Sequence, residues 1–469
     1  MTSIDQKYRY PLELITAHER ADELEYFAFE FDGIHMWPIV RMGLLFQCYK
    51  AIEGIYFQAE SQSNFKLQQE RKYHLNALTL EQIERNIGNL ASVDILIFSL
   101  ELYRQKQGNR CVNLQEMLFA DTPYTTRVVE DSYLDPSEYG FIWHEMVYQY
   151  GRLKANNTKI SARDSKTIDD FMHYIAQHYS QWIDQDYMSA IRAKLVTMAT
   201  RLPHWKAAYT QLIEQTAPKL AFIENAGYGT RAFQIKWLKQ MGIRVAEIQH
   251  GQLNNHVSGY FFGPGVAEAS WMQPYFPDDF LIWSEMWREK YSGGGNTYVL
   301  GNVAHQQALH NFNYQPEYIL LCTNCFDVNK TITYAKQLMH QHPNYKIKVR
   351  IHPTMTRYSD EFSKALGEYF LKPENGESMA ESLAKAAVVV SEPSTVLHES
   401  RAKGIPTFFL KVSSWDEIPE LPLAEELLHM GKLPPRESNW RKLHDEYFSC
   451  NWQSNLNRYL EEAIGRDVR

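Results

Sequence analysis

Cysteine is scarce in this sequence, and no disulfide framework is predicted. The chain has five cysteines in 469 residues, and an odd, widely spaced set favours a reducing compartment. Cys322 and Cys325 have CxxC spacing, but no second pair completes a zinc site. This pair therefore does not predict a zinc site, and no metal ligands and no cofactor are predicted elsewhere in the chain.

The sequence also lacks an excess of positive charge, a long apolar run and a leader pattern. Its net charge of −8 argues against general nucleic-acid binding, which needs a basic surface. No apolar run approaches the roughly 20 residues that span a bilayer, and the start MTSIDQKYRYPLEL is unlike a signal peptide. We expect a cytoplasmic protein; an aromatic content of 13% leaves peripheral attachment to the inner face of the membrane open.

What is present is an alternation of buried strands and helices over a length that predicts two or three domains. The segments LAFIE, RVAEIQ and FLIW are strand patterns with a helix between the first two, and a second series begins near Tyr298. Strand, helix, strand at this spacing indicates a parallel sheet. The predicted fold class is α/β, with two doubly wound, Rossmann-like parallel-sheet domains facing a cleft.

The glycine-rich segment SGGGN at residues 292–296 lacks the lysine of a P-loop and is predicted to link the domains. The first domain is expected over residues 1–291, with a helical insertion over about 133–215. The second is expected over 297–435. The helices of 436–469 are expected to follow it, and packing of those helices back on the first domain is left open.

Polar residues follow the predicted strands, and ligands of open parallel sheets bind at the carboxyl ends of strands. In the second domain, Pro393 places a turn before a helix that Ser394 or Thr395 caps, which is an arrangement that suits a phosphate; an ordinary N-cap without ligand is the equal alternative. His352 ends a strand before Pro353 and could contact a phosphate or protonate a leaving group. A structural histidine is the alternative.

In the first domain, the loop after RVAEIQ is unusually polar and rich in histidine. His250 ends the strand, Gly251 permits close approach of a ligand, and His256 and Tyr260 follow. Glu224 ends the preceding strand. Further candidates are Gly301, Asn302, Thr323 and Ser391 at strand ends, and Arg41 as an acceptor contact, for which a helix start with a packed Trp37 is the alternative.

Together these motifs resemble the GT-B glycosyltransferases of bacterial surface-polysaccharide synthesis, especially those with cytidine-activated donors: sialyltransferases, capsule and O-antigen Kdo transferases, and CDP-glycerol polymerases of teichoic acids. His352-Pro353 and Ser394-Thr395 match the HP and Ser-Ser/Thr motifs that hold CMP in the sialyltransferases. The QHG around His250 is similar to the site of a catalytic histidine. The acidic-acidic-Gly motif is absent, and Glu224-Asn225-Ala226-Gly227 is its nearest counterpart.

The resemblance implies metal-independent transfer of an acidic sugar, Kdo or a nonulosonate, from a CMP-sugar co-substrate to a surface-polysaccharide or lipid-linked glycan acceptor. His352, Pro353, Ser391, Ser394, Thr395, Gly301, Asn302 and Thr323 would bind the nucleotide. Gly251, His256, Tyr260 and Arg41 would face the acceptor, and His250 or Glu224 would act in catalysis. The alternatives are a nucleotide-sugar epimerase of the same architecture and a non-catalytic polysaccharide-assembly protein.

Overall fold

The structure is a computed structural model, and it describes most of the chain. The described residues are 11–20, 29–53, 79–88, 90–99, 104–107, 110–113, 118–130, 140–142, 144–156, 158–229, 231–253, 259–302, 312–324, 327–372, 377–412, 418 and 420–465.

The first domain is built on a seven-stranded sheet in which all neighbouring strands are parallel. Two short antiparallel pairs lie outside it, β1 (Glu30–Phe31) with β2 (Ile34–His35) and β4 (Arg104–Gln107) with β5 (Arg110–Asn113). The sheet strands are β3 (Ile95–Ser99), β6 (Thr126–Glu130), β7 (Gly140–Ile142), β8 (Leu220–Ile223), β9 (Arg244–Ile248), β10 (Asp279–Ile282) and β11 (Asn296–Val299). Their spatial order is β11-β10-β9-β8-β3-β6-β7.

Helices cover one face of this sheet. They are α1 (Pro11–His18), α2 (Trp37–Glu53), α3 (Leu80–Gly88), α4 (His144–Lys154), α5 (Ala162–Tyr179), α6 (Gln185–Thr216), α7 (Ala232–Gln240) and α8 (Pro264–Glu268). The strand β3 shows why both faces are covered, because Leu96 and Phe98 enter the helical core while Ile95 and Ile97 point to the opposite face. Successive side chains of a strand point to opposite faces of the sheet, so a strand that is buried on both faces needs apolar residues at every position.

The second domain is a five-stranded parallel sheet of order β14-β13-β12-β15-β16. Its strands are β12 (Tyr318–Thr323), β13 (Lys346–Ile351), β14 (Phe370–Leu371), β15 (Ala386–Ser391) and β16 (Thr407–Phe409). Its helices are α9 (Val328–Gln341), α10 (Ser359–Leu366), α11 (Met379–Ala384), α12 (Thr395–Arg401) and α13 (Ala424–Leu427). Two apolar clusters pack on opposite faces of β12, and the predicted fold class is confirmed.

Two final helices, α14 (Trp440–Tyr447) and α15 (Trp452–Ile464), follow the second sheet. Helix α15 packs its apolar stripe of Leu456, Tyr459 and Leu460 against the first sheet, on the face opposite the main helical layer. Among the described residues, none of the helices combines the length and apolar character that a membrane crossing needs.

The domains touch through α12, α14 and the 3-10 helix Glu285–Lys290, which follows β10. The ring of His398 on α12 lies 4.9 Å from that of Trp287, and the Trp287 indole donates to the Tyr447 carbonyl at 2.9 Å. An ion pair of 2.7 Å joins Lys290 to Glu420. Because β10 ends just before the 3-10 helix, this contact brings the carboxyl edge of the first sheet to the helix that begins beside Ser394.

The expected domain boundary is wrong in one respect. Strand Asn296–Val299 pairs with Asp279–Ile282 as the edge of the first sheet, although the second domain was expected to start at residue 297. The SGGGN segment therefore connects two neighbouring strands of one sheet and does not link the domains. Gly295 explains its composition, since its φ of 90° and the Pro277 and Asp278 carbonyls leave no room for a side chain.

Candidate functional site

Each sheet has a point where the strand order reverses, and ligands of open parallel sheets bind in the crevice outside that point. In the first sheet β3 and β8 are neighbours there, and in the second sheet β12 and β15 are. At both points a buried glutamate accepts a hydrogen bond from a hydroxyl on the adjoining strand. The two carboxyl edges thus have the same local construction.

In the first sheet the hydroxyl of Ser99, at the end of β3, donates to Oε2 of Glu224 at 3.2 Å. Arg231 donates to the Ser99 carbonyl at 3.4 Å. Glu224 is 1% exposed, so its carboxyl group stabilises the join between β3 and β8 and is held away from solvent. Ser99 was missed by sequence reasoning, because nothing in VDILIFS marks the last residue as a partner of Glu224.

His250 belongs to a chain of side-chain hydrogen bonds with Tyr260 and Glu247. The Tyr260 hydroxyl donates to Oε1 of Glu247 at 2.7 Å and lies 2.6 Å from Nδ1 of His250. A tyrosine has one hydroxyl proton, so while Glu247 is ionised and accepts that proton, the bond to His250 requires a proton on Nδ1. In that state Nε2 is the unprotonated nitrogen and can accept a proton from a substrate.

Burial determines the charge states of the residues in this hydrogen-bond network. It lowers the pKa of His250 to about 4, so the imidazole is neutral at pH 7. Burial also raises the pKa of Glu247 to about 8, although the hydrogen bonds from Tyr260 and the Ala226 amide lower it. A neutral imidazole is the form that can accept a proton in general-base chemistry.

The turn after Glu224 lies beside His250. Asn225 has a left-handed backbone, with φ of 56°, and such strain in a residue other than glycine concentrates at functional sites. The Tyr228 ring lies 6.0 Å from the His250 ring. At Gly251, an added Cβ would meet nothing within 4 Å, so this edge has open space for a ligand. His256 lies outside the described residues.

The second sheet carries a network around Glu392, which follows β15. Oε1 of Glu392 accepts from the hydroxyls of Thr323 at 2.5 Å and Thr331 at 2.7 Å, and Oε2 accepts from the Asn324 amide at 2.8 Å. Three donors stabilise the ionised carboxylate. Thr323 and Ser391 are 4% and 0% exposed, so these two predicted nucleotide residues act in the packing of this edge.

Three other predicted residues remain accessible at the same edge. His352 follows β13 with an exposed side chain, and Ser394 and Thr395 are half-buried at the start of α12. The His352 amide donates to the Thr323 carbonyl at 2.9 Å, which ties the histidine to the end of β12. Pro353 opens the 3-10 helix Pro353–Tyr358. Ser394 is the N-cap of α12 and accepts from Val396.

Two predictions need correction. Arg41 is 2% exposed and forms an ion pair with buried Glu19 at 2.5 Å, so it stabilises the core and does not face an acceptor. Gly301 has φ of 102°, and an added Cβ would lie 2.5 Å from the Ser449 carbonyl. The close approach at Gly301 is therefore that of the segment between α14 and α15. Asn302 follows it at the carboxyl edge of the first sheet.

Comparisons with known proteins give distant likenesses. No protein-family model and no curated protein matches the chain. A UDP-GlcNAc 2-epimerase from Neisseria meningitidis is 12% identical, with a TM-score of 0.43, over 78% of this chain and 99% of that one. The glycosyltransferase AviGT4 of avilamycin A biosynthesis is 12% identical, with a TM-score of 0.37, over 80% and 98%.

The wall teichoic acid polymerase TagF is 9% identical to this chain, with a TM-score of 0.40, over 87% of this chain and 98% of that one. With identities this low and TM-scores below 0.5, these likenesses assign the chain to no family.

Proposed function

We propose that the protein is a metal-independent glycosyltransferase that moves an acidic sugar, Kdo or a nonulosonate, from a CMP-activated donor to a surface-polysaccharide or lipid-linked glycan acceptor. The observation that carries the proposal is that the carboxyl edges of the two sheets present different polar groups. One edge presents His250, a partly buried neutral imidazole that is hydrogen-bonded to Tyr260, and the other presents the exposed His352 together with Ser394 and Thr395.

The second domain would bind the nucleotide. His352 is exposed after β13, and Ser394 and Thr395 are half-buried after β15, so these residues lie on the two sides of β12 at the carboxyl edge of the second sheet. Partial burial lowers the pKa of His352, so the neutral imidazole contributes one N–H donor to a phosphate oxygen. The fixed hydrogen-bond donors of this edge would stabilise the charge that develops on departing CMP.

The first domain would bind and activate the acceptor. Nε2 of His250 would take the proton of the attacking hydroxyl while that oxygen bonds to the anomeric carbon and CMP departs with the electrons of the broken bond. This route inverts the anomeric configuration. A retaining route would need Glu224 at the anomeric carbon, and the burial of its carboxyl group favours the histidine.

Nucleotide preference tests the proposal. CMP should raise the melting temperature of the protein more than UMP or ADP at equal concentration, because a ligand that binds only the folded state stabilises it in proportion to ln(1 + [L]/Kd). Differential scanning fluorimetry at several nucleotide concentrations measures this. A larger shift with UMP would contradict the cytidine assignment, and no shift with any nucleotide would contradict donor binding.

A further inference from the structure

An open pocket lies in the first domain between α2 and α6. Its volume is about 450 Å³, which is within the range of small-molecule sites. Neither His250 nor Glu392 is among the residues that line this pocket. One end of the pocket reaches the turn that follows β8, and the other end lies between the two helices.

The long wall of the pocket is apolar. Ile39, Val40 and Met42 from α2 and Ile191 from α6 line it, and each is at most 7% exposed. Phe46 extends this wall along α2. Apolar side chains around an open space favour a ligand that removes apolar surface from water.

Close packing holds the two helices in place around this space. An added Cβ at Gly43 on α2 would come within 2.6 Å of the Tyr187 hydroxyl of α6. At Gly229, where φ is 78°, an added Cβ would come within 2.2 Å of the Pro38 carbonyl. Glycine at these two positions lets α2 lie close to Tyr187 of α6 and to the turn that follows β8.

The inner end of the pocket is polar and adjoins the candidate base. Asn225 and Tyr228 line it, and the Tyr228 ring is the same one that lies 6.0 Å from the His250 ring. Oδ1 of Asn225 is buried and has no hydrogen-bond partner among the described residues. A hydroxyl-bearing ligand at this end would satisfy it and would lie next to His250.

The charge of the lining is one-sided. Lys194 and Arg231 line the pocket, and among the described residues no aspartate or glutamate lines it. Lys194 is exposed on α6, so its ammonium group can contact a ligand at the mouth. The electrostatic complement of this lining is an anion.

We propose that this pocket binds the acceptor as an anionic amphiphile, with its apolar chain between α2 and α6 and its anionic group at the cationic residues. The inference rests on the proposed function, in which this domain holds the acceptor. It specifies that the acceptor carries an apolar chain as well as the hydroxyl that receives the sugar.

Binding of three probes to the full-length protein tests the inference. Octyl phosphate combines chain and anion, octyl glucoside has the chain alone, and inorganic phosphate has the anion alone. Isothermal titration below the micelle concentrations should give octyl phosphate an affinity at least about tenfold above each of the others, which corresponds to about 1.4 kcal/mol. Equal affinity for either partial probe would overturn the inference.

Two tryptophan variants locate the binding. Ala190→Trp on α6 fills the pocket and should weaken octyl phosphate binding tenfold or more. Ala193→Trp, exposed on the same helix and outside the lining, should change it less than twofold. Both positions are exposed, so both variants should fold. Equal effects of the two substitutions would place the binding elsewhere.

The outcome is separable from that of the proposed function, because octyl phosphate needs no nucleotide to bind. If CMP stabilises the protein while octyl phosphate does not bind, the inference fails and donor binding stands. If octyl phosphate binds and no nucleotide does, the pocket stands and the proposed transferase fails.

Discussion

Tyr260 holds the ring of His250 in place. Its hydroxyl lies between Nδ1 of His250 and Oε1 of Glu247, at 2.6 and 2.7 Å. The hydrogen bond to Nδ1 orients the imidazole and leaves Nε2 as the nitrogen that is not bonded to Tyr260. Tyr260 is thus a positioning residue for the proposed base, although the sequence predicted it only as an acceptor contact.

Tyr260→Phe should slow transfer by about ten- to a hundredfold, part of the contribution of general-base catalysis, because His250 loses the hydrogen bond at Nδ1 that orients its ring. CMP affinity should remain unchanged. The control is Tyr291→Phe, which removes a hydroxyl from the same aromatic cluster. Among the described residues, the hydrogen bond of that hydroxyl is to the Gly294 carbonyl. Steady-state turnover and nucleotide titration measure both, and equal slowing in the two variants would assign Tyr260 a merely structural role.

The partners of the predicted site residues were beyond the sequence. His250 and Glu224 could be selected because polar residues after buried strands are visible as a pattern. Glu247 was seen only as a strand residue, and its contact with Tyr260 depends on a loop that returns to the strand 13 residues later. Arg41 was misassigned because its partner Glu19 lies 22 residues earlier in the sequence, just after α1. No sequence pattern indicates that these two residues meet.

Among the elements, α12 has two roles, since its start carries Ser394 and Thr395 and its side packs on the first domain. His398 of α12 is 0% exposed, faces Trp287 and Tyr447, and neither ring nitrogen has a hydrogen-bond partner among the described residues. Burial lowers its pKa to about 4. Lys290 opposes protonation, whereas Glu399 and Glu420 favour it.

His398→Phe should remove a pH dependence of stability. In the wild-type protein, His398 of the unfolded chain binds a proton below pH 6.5, whereas His398 of the folded chain does so only near pH 4. The free energy of unfolding therefore falls as the pH drops between these values. The variant lacks this loss. Its free energy of unfolding relative to wild type should rise by up to about 1.4 kcal/mol per pH unit between pH 6.5 and 5.

Urea unfolding at pH 7, 6 and 5 measures the difference. His173→Phe, at an exposed position on α5, is the control for the chemical change. A difference between His398→Phe and wild type that stays constant with pH would show that His398 takes up its proton equally in both states.

The sequence pattern of the second domain predicts its central strands closely. The run KIKVRI predicts a strand over 346–351, which agrees with Lys346–Ile351 of β13. The run AVVV predicts a strand over 387–390, which lies within Ala386–Ser391 of β15. Short apolar runs between turn residues give this signal. The sequence gives no comparable signal for which strands pair with each other. Strand Asn296–Val299 was predicted near its correct position but was assigned to the wrong sheet, because the tertiary fold decides the pairing.

At the scale of the whole molecule, two parallel sheets meet through helices near their carboxyl edges. The contact of His398 with Trp287 brings α12 to the segment that leaves β10, and α15 returns the chain to the first sheet. The presence of two parallel sheets could be predicted from the sequence, because each series of strands and helices has the same spacing. The crossing of the last helix was only an open alternative, because an amphipathic stripe does not identify the surface that covers it.

The central claim is that the two edges have separate roles, with His352 for the nucleotide and His250 for the transfer. His352→Ala and His250→Ala test it when CMP affinity and transfer from CMP-Kdo or a CMP-nonulosonate are measured in parallel. We expect His352→Ala to weaken CMP binding tenfold or more, whereas His250→Ala should keep CMP affinity within twofold and lose 10²- to 10⁴-fold in transfer rate. Equal loss of CMP affinity in the two variants would contradict this division of roles.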